Sequence, residues 1–117
     1  MKRGDIWTVA GGPDYAGKPR PAVILQDDAF DATESLTICP FTTSNTTAPT
    51  LRPVVLPSNE NGLRTVSRLM VDKITTVSKT RLQHHVGRLS SQDLKGLNKA
   101  VIVFLGLTAP VDGGHPR

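Results

Sequence analysis

The fold is decided by one stretch near the start of the chain, Gly17-Lys18-Pro19-Arg20-Pro21-Ala22-Val23-Ile24-Leu25. Pro19 and Pro21 each fix their own φ angle and push the preceding residue towards extended backbone, so the first half of the stretch is a non-helical loop. The apolar run from Ala22 to Gln26 then predicts a strand that is covered on both faces. Arg20 is therefore predicted to lie on a stiff segment just before a buried strand.

A guanidinium with so little backbone freedom is well suited to hold a phosphate group in a bidentate grip. A solvated arginine beside a proline-stiffened hairpin explains the local pattern equally well. The local physics leaves both interpretations open, and the rest of the chain has to decide between them.

The chain has 117 residues, of which 38% are hydrophobic and 21% are charged. This length and composition are typical of one globular domain. We expect this domain to span residues 1–107, and the Pro- and Gly-rich residues 108–117 to form a disordered tail. The chain contains no apolar run of the roughly 20 residues that a membrane span requires and no apolar signal region, which predicts a cytoplasmic protein. The single cysteine, Cys39, lies in an apolar run and is predicted to be a buried thiol.

Short β-prone segments alternate with turn signals along most of the chain, and one amphipathic helix follows them. The helix is predicted to begin after Ser90 as N-cap, with Asp93 in an approximate capping box, to bury a stripe of Leu94, Leu97, Val101, Phe104 and Leu105, and to stop at Gly106. This order predicts a mainly β fold, a small antiparallel barrel closed by a C-terminal helix. The predicted strands are Asp5–Val9, Ala22–Gln26, Leu36–Phe41 (ended by Pro40), Arg52–Leu56 at an edge, the long stretch Leu63–Val77, and Val86–Leu89, with one helical turn over Ser78–Leu82.

The net charge is +4, and the whole positive excess lies in the later part of the chain. Residues 1–34 carry four basic and six acidic side chains, whereas residues 35–117 carry ten basic and four acidic ones. This distribution suits a polyanionic partner, either nucleic acid or an acidic protein segment. A basic surface that is merely solvated remains the alternative that charge alone favours.

Metal catalysis and a serine hydrolase are both poorly supported by the sequence. His84 and His85 are neighbours, so in an extended segment their side chains point to opposite faces. The metal-binding and phosphate-loop motifs are missing, and no serine lies in a nucleophile-elbow pattern. Metal-free cleavage of RNA suits the residues better, because the 2′-hydroxyl of the substrate supplies the nucleophile. Arg20 would then hold the phosphate charge, a hydroxyl in Thr42-Thr43-Ser44 would donate to a phosphoryl oxygen, and Asp14 would accept a proton.

Several of these motifs, in this order, resemble the MazF/PemK toxins of bacterial toxin–antitoxin systems. The resemblance runs from residue 1 to about residue 107, and the motifs that carry it are Arg3-Gly4-Asp5-Ile6-Trp7, Gly17–Leu25, Pro40-Phe41-Thr42-Thr43-Ser44, Asp72-Lys73-Ile74, Arg81-Leu82, Val86-Gly87-Arg88-Leu89 and Phe104-Leu105-Gly106-Leu107. The resemblance implies an SH3-like barrel of the MazF/CcdB type, a homodimer, and a sequence-specific endoribonuclease that acts on single-stranded RNA without a cofactor or metal. The products it implies are a 2′,3′-cyclic phosphate and a 5′-hydroxyl.

The resemblance also assigns residues and a partner. The catalytic arginine of the family falls on Arg20, its threonine on Thr42 with Thr43 one place away, and its acidic loop residue on Asp14. Because a guanidinium stays protonated, charge stabilisation is the role we expect for Arg20. An acidic antitoxin is the implied partner. Further RNA contacts are expected from Lys18, Tyr15, Phe41, Ser44, Arg64, Arg68 and Lys73, with Tyr15 and Phe41 as stacking rings. A CcdB-like gyrase poison and a catalytically silent binding module share the same barrel and remain alternatives.

Overall fold

The computed structural model of the protein describes residues 1–11, 18–45 and 52–107. Its elements are seven strands, one α-helix and three single 3₁₀ turns within the described residues. The strands are β1 (Asp5–Val9), β2 (Arg20–Ile24), β3 (Ser35–Thr42), β4 (Val54–Val55), β5 (Ser67–Leu69), β6 (Thr75–Ser78) and β7 (Leu82–Arg88). The helix is α1 (Ser91–Phe104), and the 3₁₀ turns span Asp28–Phe30, Val71–Lys73 and Lys79–Arg81.

All strand pairs are antiparallel, in the order β4-β5-β3-β2-β1-β7, and β6 also pairs with β3. The long strand β3 organises this sheet. Along one side it pairs with β2, and along the other it pairs first with β6 and then, at Phe41 and Thr42, with β5. The sheet curls into a half-barrel with α1 as its one helix, which confirms the predicted mainly β barrel.

Both faces of the sheet are covered, as the apolar run of β2 predicts. Val23 and Cys39 lie in one core cluster, which includes Leu97 of the helix. Their chain neighbours Ile24 and Ile38 lie in a second cluster. Alternate side chains of adjacent strands therefore serve different cores, and the strands cannot shift by one residue without exchanging their buried faces.

The helix begins as predicted, because the Ser90 side chain accepts a hydrogen bond of 3.0 Å from the backbone N–H of Asp93. Leu97 is fully buried, and Leu94 and Val101 pack beside it against the core. The rest of the predicted stripe is wrong for this chain, because Phe104 and Leu105 are 44% and 55% exposed.

Several predicted strand boundaries differ from the structure. Strand β2 begins at Arg20, two residues before the predicted start at Ala22. Strand β3 was expected to end at Pro40 but continues through it to Thr42. A proline removes only the N–H donor, and the Pro40 carbonyl still accepts a hydrogen bond of 2.9 Å from Met70 N. The long stretch Leu63–Val77 is broken into β5 and β6 by the 3₁₀ turn Val71–Lys73.

At the two ends of the sheet, β4 is shorter and β7 longer than predicted. The position of β4 at a sheet edge and the single turn of helix over Lys79–Arg81, here of the 3₁₀ type, are confirmed.

The Cys39 thiol is fully buried, as predicted, and this burial raises its pKa to about 12. A thiol with so high a pKa forms almost no thiolate at neutral pH, so its place is in the core. Among the described residues no helix is long and apolar enough to span a membrane. The predicted tail, residues 108–117, lies outside the described residues.

Candidate active site

A cavity of about 500 Å³ opens where β2, the end of β3 and the start of β6 meet. Its lining includes two cationic side chains, Arg20 and Lys73, and two hydroxyl side chains, Thr42 and Thr75. Pro40, Phe41 and Met70 supply the apolar part of the wall. Cations and hydroxyls with no carboxylate among the lining residues make a site for an anion.

Arg20 reaches this cavity because it is the first residue of β2, where it lies opposite Val9 of β1 in register. The strand fixes its backbone, although the sequence placed it just before the strand. Its side chain is exposed and forms no hydrogen bond or ion pair with any described residue. The guanidinium is therefore presented by a rigid element, with its donors directed to no described partner.

Thr42 lies at the last position of β3, opposite Arg68 of β5 in register. Its Oγ1 accepts a hydrogen bond of 3.1 Å from the backbone N–H of Ser44. A hydroxyl that accepts one bond keeps its own proton to donate elsewhere. The bond that caps the turn thus orients Thr42 Oγ1 without using its proton, and the structural and catalytic interpretations of this residue are compatible.

Lys73 is brought to the cavity by the 3₁₀ turn Val71–Lys73. The neighbouring Asp72 accepts two hydrogen bonds of 2.8 Å from Arg52, one from Nε and one from Nη2. This bond holds the pKa of Asp72 below its usual range and raises the pKa of Arg52. The ion pair ties the turn to the segment that precedes β4, which fixes the backbone from which Lys73 projects.

The remaining cations divide into structural ones and free ones. Arg52 binds Asp72, Arg81 donates to the carbonyl of Ala10 at 2.8 Å, and Arg88 binds Asp5 at 2.8 Å. The four basic side chains predicted to contact RNA from β2, from the segment that includes β5 and from the 3₁₀ turn form no hydrogen bond or ion pair within residues 1–11, 18–45 and 52–107. They are Arg20, Arg64, Arg68 and Lys73. Their positive charge is therefore available to a polyanion.

A second cavity, of about 260 Å³, opens at the same ends of β2 and β3 as the first, on the opposite face of these strands. Arg20 and Thr42 line the first cavity, whereas the residues that follow them, Pro21 and Thr43, line the second. Arg64 also lines the second cavity. The structure therefore separates Thr43 from Thr42 and Arg64 from Lys73, although the sequence grouped them.

The structure places the other predicted site residues in different environments. Phe41 is only 3% exposed and belongs to the core, so its ring forms part of the cavity wall and offers no open face for a base. Lys18 and Ser44 are exposed, each two residues along the chain from Arg20 or Thr42, and Arg68 is half-buried opposite Thr42. Asp14 and Tyr15 lie outside the described residues.

Met70 and Thr75 also line the first cavity, although neither was predicted from the sequence to be a site residue. Both residues lie in the stretch that was predicted as one continuous strand. In such a strand, residues five apart would lie on opposite faces and far from each other. The 3₁₀ turn between them brings both to the same opening, and the β-prone pattern of residues 63–77 gave no sign of that turn.

The described part of the chain contains no cluster of three or more His, Cys, Asp or Glu side chains that is placed to hold a metal ion. His84 and His85 are both exposed on β7, and the ring of His85 lies 5.4 Å from the ring of Trp7, centroid to centroid. His85 Nε2 is also 3.9 Å from the carboxylate of Asp5. Neither histidine lines the two cavities described above.

Comparison with known proteins adds to this geometry. Residues 2–105 match the family model of the PemK-like, MazF-like toxins of type II toxin–antitoxin systems. The chain is 54% identical over 107 residues to a probable endoribonuclease MazF of Mycolicibacterium smegmatis, an alignment that covers 92% of this chain and 98% of the relative. It is 30% identical over 116 residues to endoribonuclease MazF9 of Mycobacterium tuberculosis, with the same two coverages.

A solved structure shares the fold. It is an endoribonuclease in complex with its cognate antitoxin from a mycobacterial species, with a TM-score of 0.78 and 23% identity over 94% of this chain and 99% of the other.

Proposed function

This chain belongs to the PemK-like, MazF-like toxins of type II toxin–antitoxin systems and is an endoribonuclease, and we propose that it cuts single-stranded RNA in a sequence-specific, metal-independent reaction in the cytoplasm. The observation that carries the proposal is the first cavity, where Arg20, Thr42 and Lys73 lie together. The two cations have no described partner, and the hydroxyl retains its proton. Such a site offers charge and hydrogen bonds to one phosphate of an RNA chain.

In the reaction we propose, the 2′-oxygen of the RNA attacks the adjacent phosphorus atom. A bond from the 2′-oxygen to phosphorus forms and the bond from phosphorus to the 5′-oxygen breaks, which leaves a 2′,3′-cyclic phosphate and a 5′-hydroxyl. Arg20 and Lys73 neutralise the charge that develops on the phosphoryl oxygens, and Thr42 donates a hydrogen bond to one of them. Because the nucleophile belongs to the substrate, the protein supplies positioning, charge and proton transfer.

Two proton transfers complete the reaction. The general base takes the proton of the 2′-hydroxyl, and the departing 5′-oxygen takes a proton from water as its bond to phosphorus breaks. Asp14 is our candidate for the general base, on the grounds of its place in the sequence between β1 and β2. The chain is held at Ala10, just after β1, which is hydrogen-bonded to Arg81 through both its N–H and its carbonyl.

A gyrase poison or a silent binding module on the same barrel is not favoured. The relatives named above are described as endoribonucleases. A module that only binds protein has no need to bring an unpaired arginine and a threonine hydroxyl to one opening.

We propose two partners for this toxin, a second copy of the chain and an acidic antitoxin. The related mycobacterial endoribonuclease was solved with its cognate antitoxin. The end of α1 exposes a run of apolar side chains that suits burial in an interface. They are Ile102, Val103, Phe104, Leu105 and Leu107.

The two partners have separate tests. Leu105→Glu should shift the protein to monomer in sedimentation at micromolar concentration, and a variant that remains dimeric would exclude this face as the dimer contact. Co-expression with an acidic protein from a neighbouring gene should protect the RNA, and a complex that still cuts would count against an antitoxin role for that protein.

The nuclease itself is tested by incubating a long single-stranded RNA with the protein in EDTA. We expect discrete cuts by the wild type, products with cyclic phosphate ends, and no detectable cuts by Arg20→Ala. Lys99→Ala, which removes an exposed cation of α1 far from the cavity residues in sequence, is the matched control and should cut like the wild type. Intact RNA in every wild-type reaction would refute the proposed activity.

A further inference from the structure

The second cavity is a built site, and its walls are made by a rigid loop. Asn61 is 2% exposed, and its side-chain amide accepts hydrogen bonds from the backbone N–H groups of Ser58 and Leu63 at 3.0 and 2.9 Å. The same amide donates to the carbonyl of Leu56 at 2.8 Å. One buried side chain therefore holds both ends of the turn that leads into Arg64.

Two glycines allow this loop to press against β7. A Cβ atom on Gly62, whose φ is +70°, would lie 2.3 Å from the carbonyl oxygen of Val86. A Cβ atom on Gly87 would lie 2.5 Å from the backbone of Asn61. Contacts this short leave no room for a side chain, so the loop is locked onto the strand and Arg64 starts from a preorganised backbone.

The chemistry of the cavity suits a planar, polar ring. Pro21, Leu63 and Val86 give apolar walls, and Thr8, Thr43 and Thr65 place hydroxyl groups around them. Arg64 adds an exposed guanidinium with no hydrogen bond or ion pair to the described residues. A cavity with apolar walls, hydroxyls and one fork-shaped cation suits a nucleobase better than a bare phosphate.

The position of the cavity links it to the site of cleavage. Arg20 and Thr42 line the first cavity and their immediate neighbours Pro21 and Thr43 line the second, so the two openings share the same two strand ends. An RNA strand that passes over these strand ends with one phosphate beside Arg20 would bring a flanking base to Arg64.

We propose that the second cavity binds a guanine next to the scissile phosphate and that Arg64 is the residue that reads it. This inference rests on the proposed RNA cleavage. A guanidinium matches the two neighbouring acceptors of guanine, O6 and N7, with two parallel hydrogen bonds, whereas adenine presents a donor in place of O6. Loss of one such bidentate contact changes discrimination on the order of 10- to 100-fold.

The test maps the ends left by cleavage of a random-sequence single-stranded RNA library. We expect the wild type to require guanine at one position that flanks the cut. Arg64→Ala and Arg64→Lys should lose that requirement while the other positions of the motif persist, because a lysine keeps the charge but not the fork. Lys95→Ala, an exposed cation on α1 that lines neither cavity, is the matched control for charge and should keep the wild-type motif.

A second measurement needs no variant of the protein. At the flanking position of a short RNA substrate, 7-deazaguanine removes the N7 acceptor and should lower wild-type cleavage about tenfold or more. Cuts with no guanine preference, or an unchanged preference in Arg64→Ala, would overturn the inference and leave the nuclease intact. A wild type that cuts no member of the library would instead refute the proposed function itself, and this inference with it.

Discussion

Arg52 and Asp72 form a bidentate ion pair, in which Nε and Nη2 of the guanidinium each lie 2.8 Å from a different carboxylate oxygen. Both side chains are largely buried, at 14% and 23% exposure. The pair joins the segment before the edge strand β4 to the 3₁₀ turn that carries Lys73. It therefore supports the candidate active site from outside the cavity, since neither partner lines it.

Breaking this pair should cost both stability and activity. We expect Asp72→Asn or Arg52→Gln to lower the free energy of unfolding by about 2 kcal/mol, because each removes one charge of the pair and at least one of its two hydrogen bonds. The same variants should raise the KM for RNA, because the turn that carries Lys73 is no longer fixed. Urea denaturation and initial cleavage rates measure the two effects. Glu34→Gln, an exposed carboxylate with no side-chain partner in the described ranges, is the control and should change neither.

The ion pair should also make stability depend on pH in the acid range. Arg52 holds the pKa of Asp72 below the unfolded value of about 3.9. A carboxyl group with a lowered pKa contributes stability that is fully present above its unfolded pKa and is lost as the pH falls through the folded one. The stability difference between wild type and Asp72→Asn should therefore be full at pH 7 and shrink below about pH 4. A difference that stays constant down to pH 2 would contradict this assignment.

Thr42 should matter through its proton. Thr42→Val should lower the single-turnover cleavage rate by about 100-fold, as loss of one donor to a developing oxyanion does in other enzymes, and Thr42→Ser should retain most of the rate. Thr76→Val removes an exposed hydroxyl that lies on β6 and pairs with Thr37, so it serves as the control. If the Thr42→Val variant cleaves RNA at the wild-type rate, the Thr42 hydroxyl has only the structural role of accepting the hydrogen bond from Ser44.

The tight contact between the loop and β7 predicts opposite effects at two glycines. Gly87→Ala should destabilise the fold by several kcal/mol or prevent folding, because its Cβ atom would lie 2.5 Å from backbone atoms of Glu60 and Asn61. Gly96→Ala, inside α1 with nothing within 4 Å of the added atom, should stabilise by about 0.5–1 kcal/mol. Thermal denaturation of the two variants compares them directly. Equal effects would show that the close approach at Gly87 relaxes easily.

Strands and helix ends that are marked by a clear local sequence pattern were predicted correctly. The proline-stiffened entry to β2, its apolar run covered on both faces, and the Ser90 cap of α1 all follow from neighbours in the chain. These features depend on backbone geometry and hydrophobic period, which operate over a few residues. The buried environment of Cys39 was predictable for the same reason.

Predictions from the sequence were less accurate for residues whose burial depends on which other element packs against them. Phe41 looked like a stacking ring and is a core residue, whereas Phe104 and Leu105 looked buried and are exposed. A period identifies which side chains share a face of an element, but only the packed structure decides where the opposing surface ends. The basic residues behave in the same way, because Arg52, Arg81 and Arg88 are used by structural partners far away in the chain.

By itself, the sequence determined the order of the strands and the single helix, the stiff backbone that presents Arg20, and the resemblance that assigns the family. Only the tertiary structure decided which polar residues meet. Arg20, Thr42, Lys73 and Thr75 come from separate parts of the chain. They share one cavity because β3 pairs with both β2 and β6, and because the 3₁₀ turn Val71–Lys73 interrupts the chain between β5 and β6, which both run antiparallel to β3. Thr43 lines a different cavity from Thr42 because neighbouring residues at a strand end face opposite ways, and Arg64 lines it because its loop packs against β7.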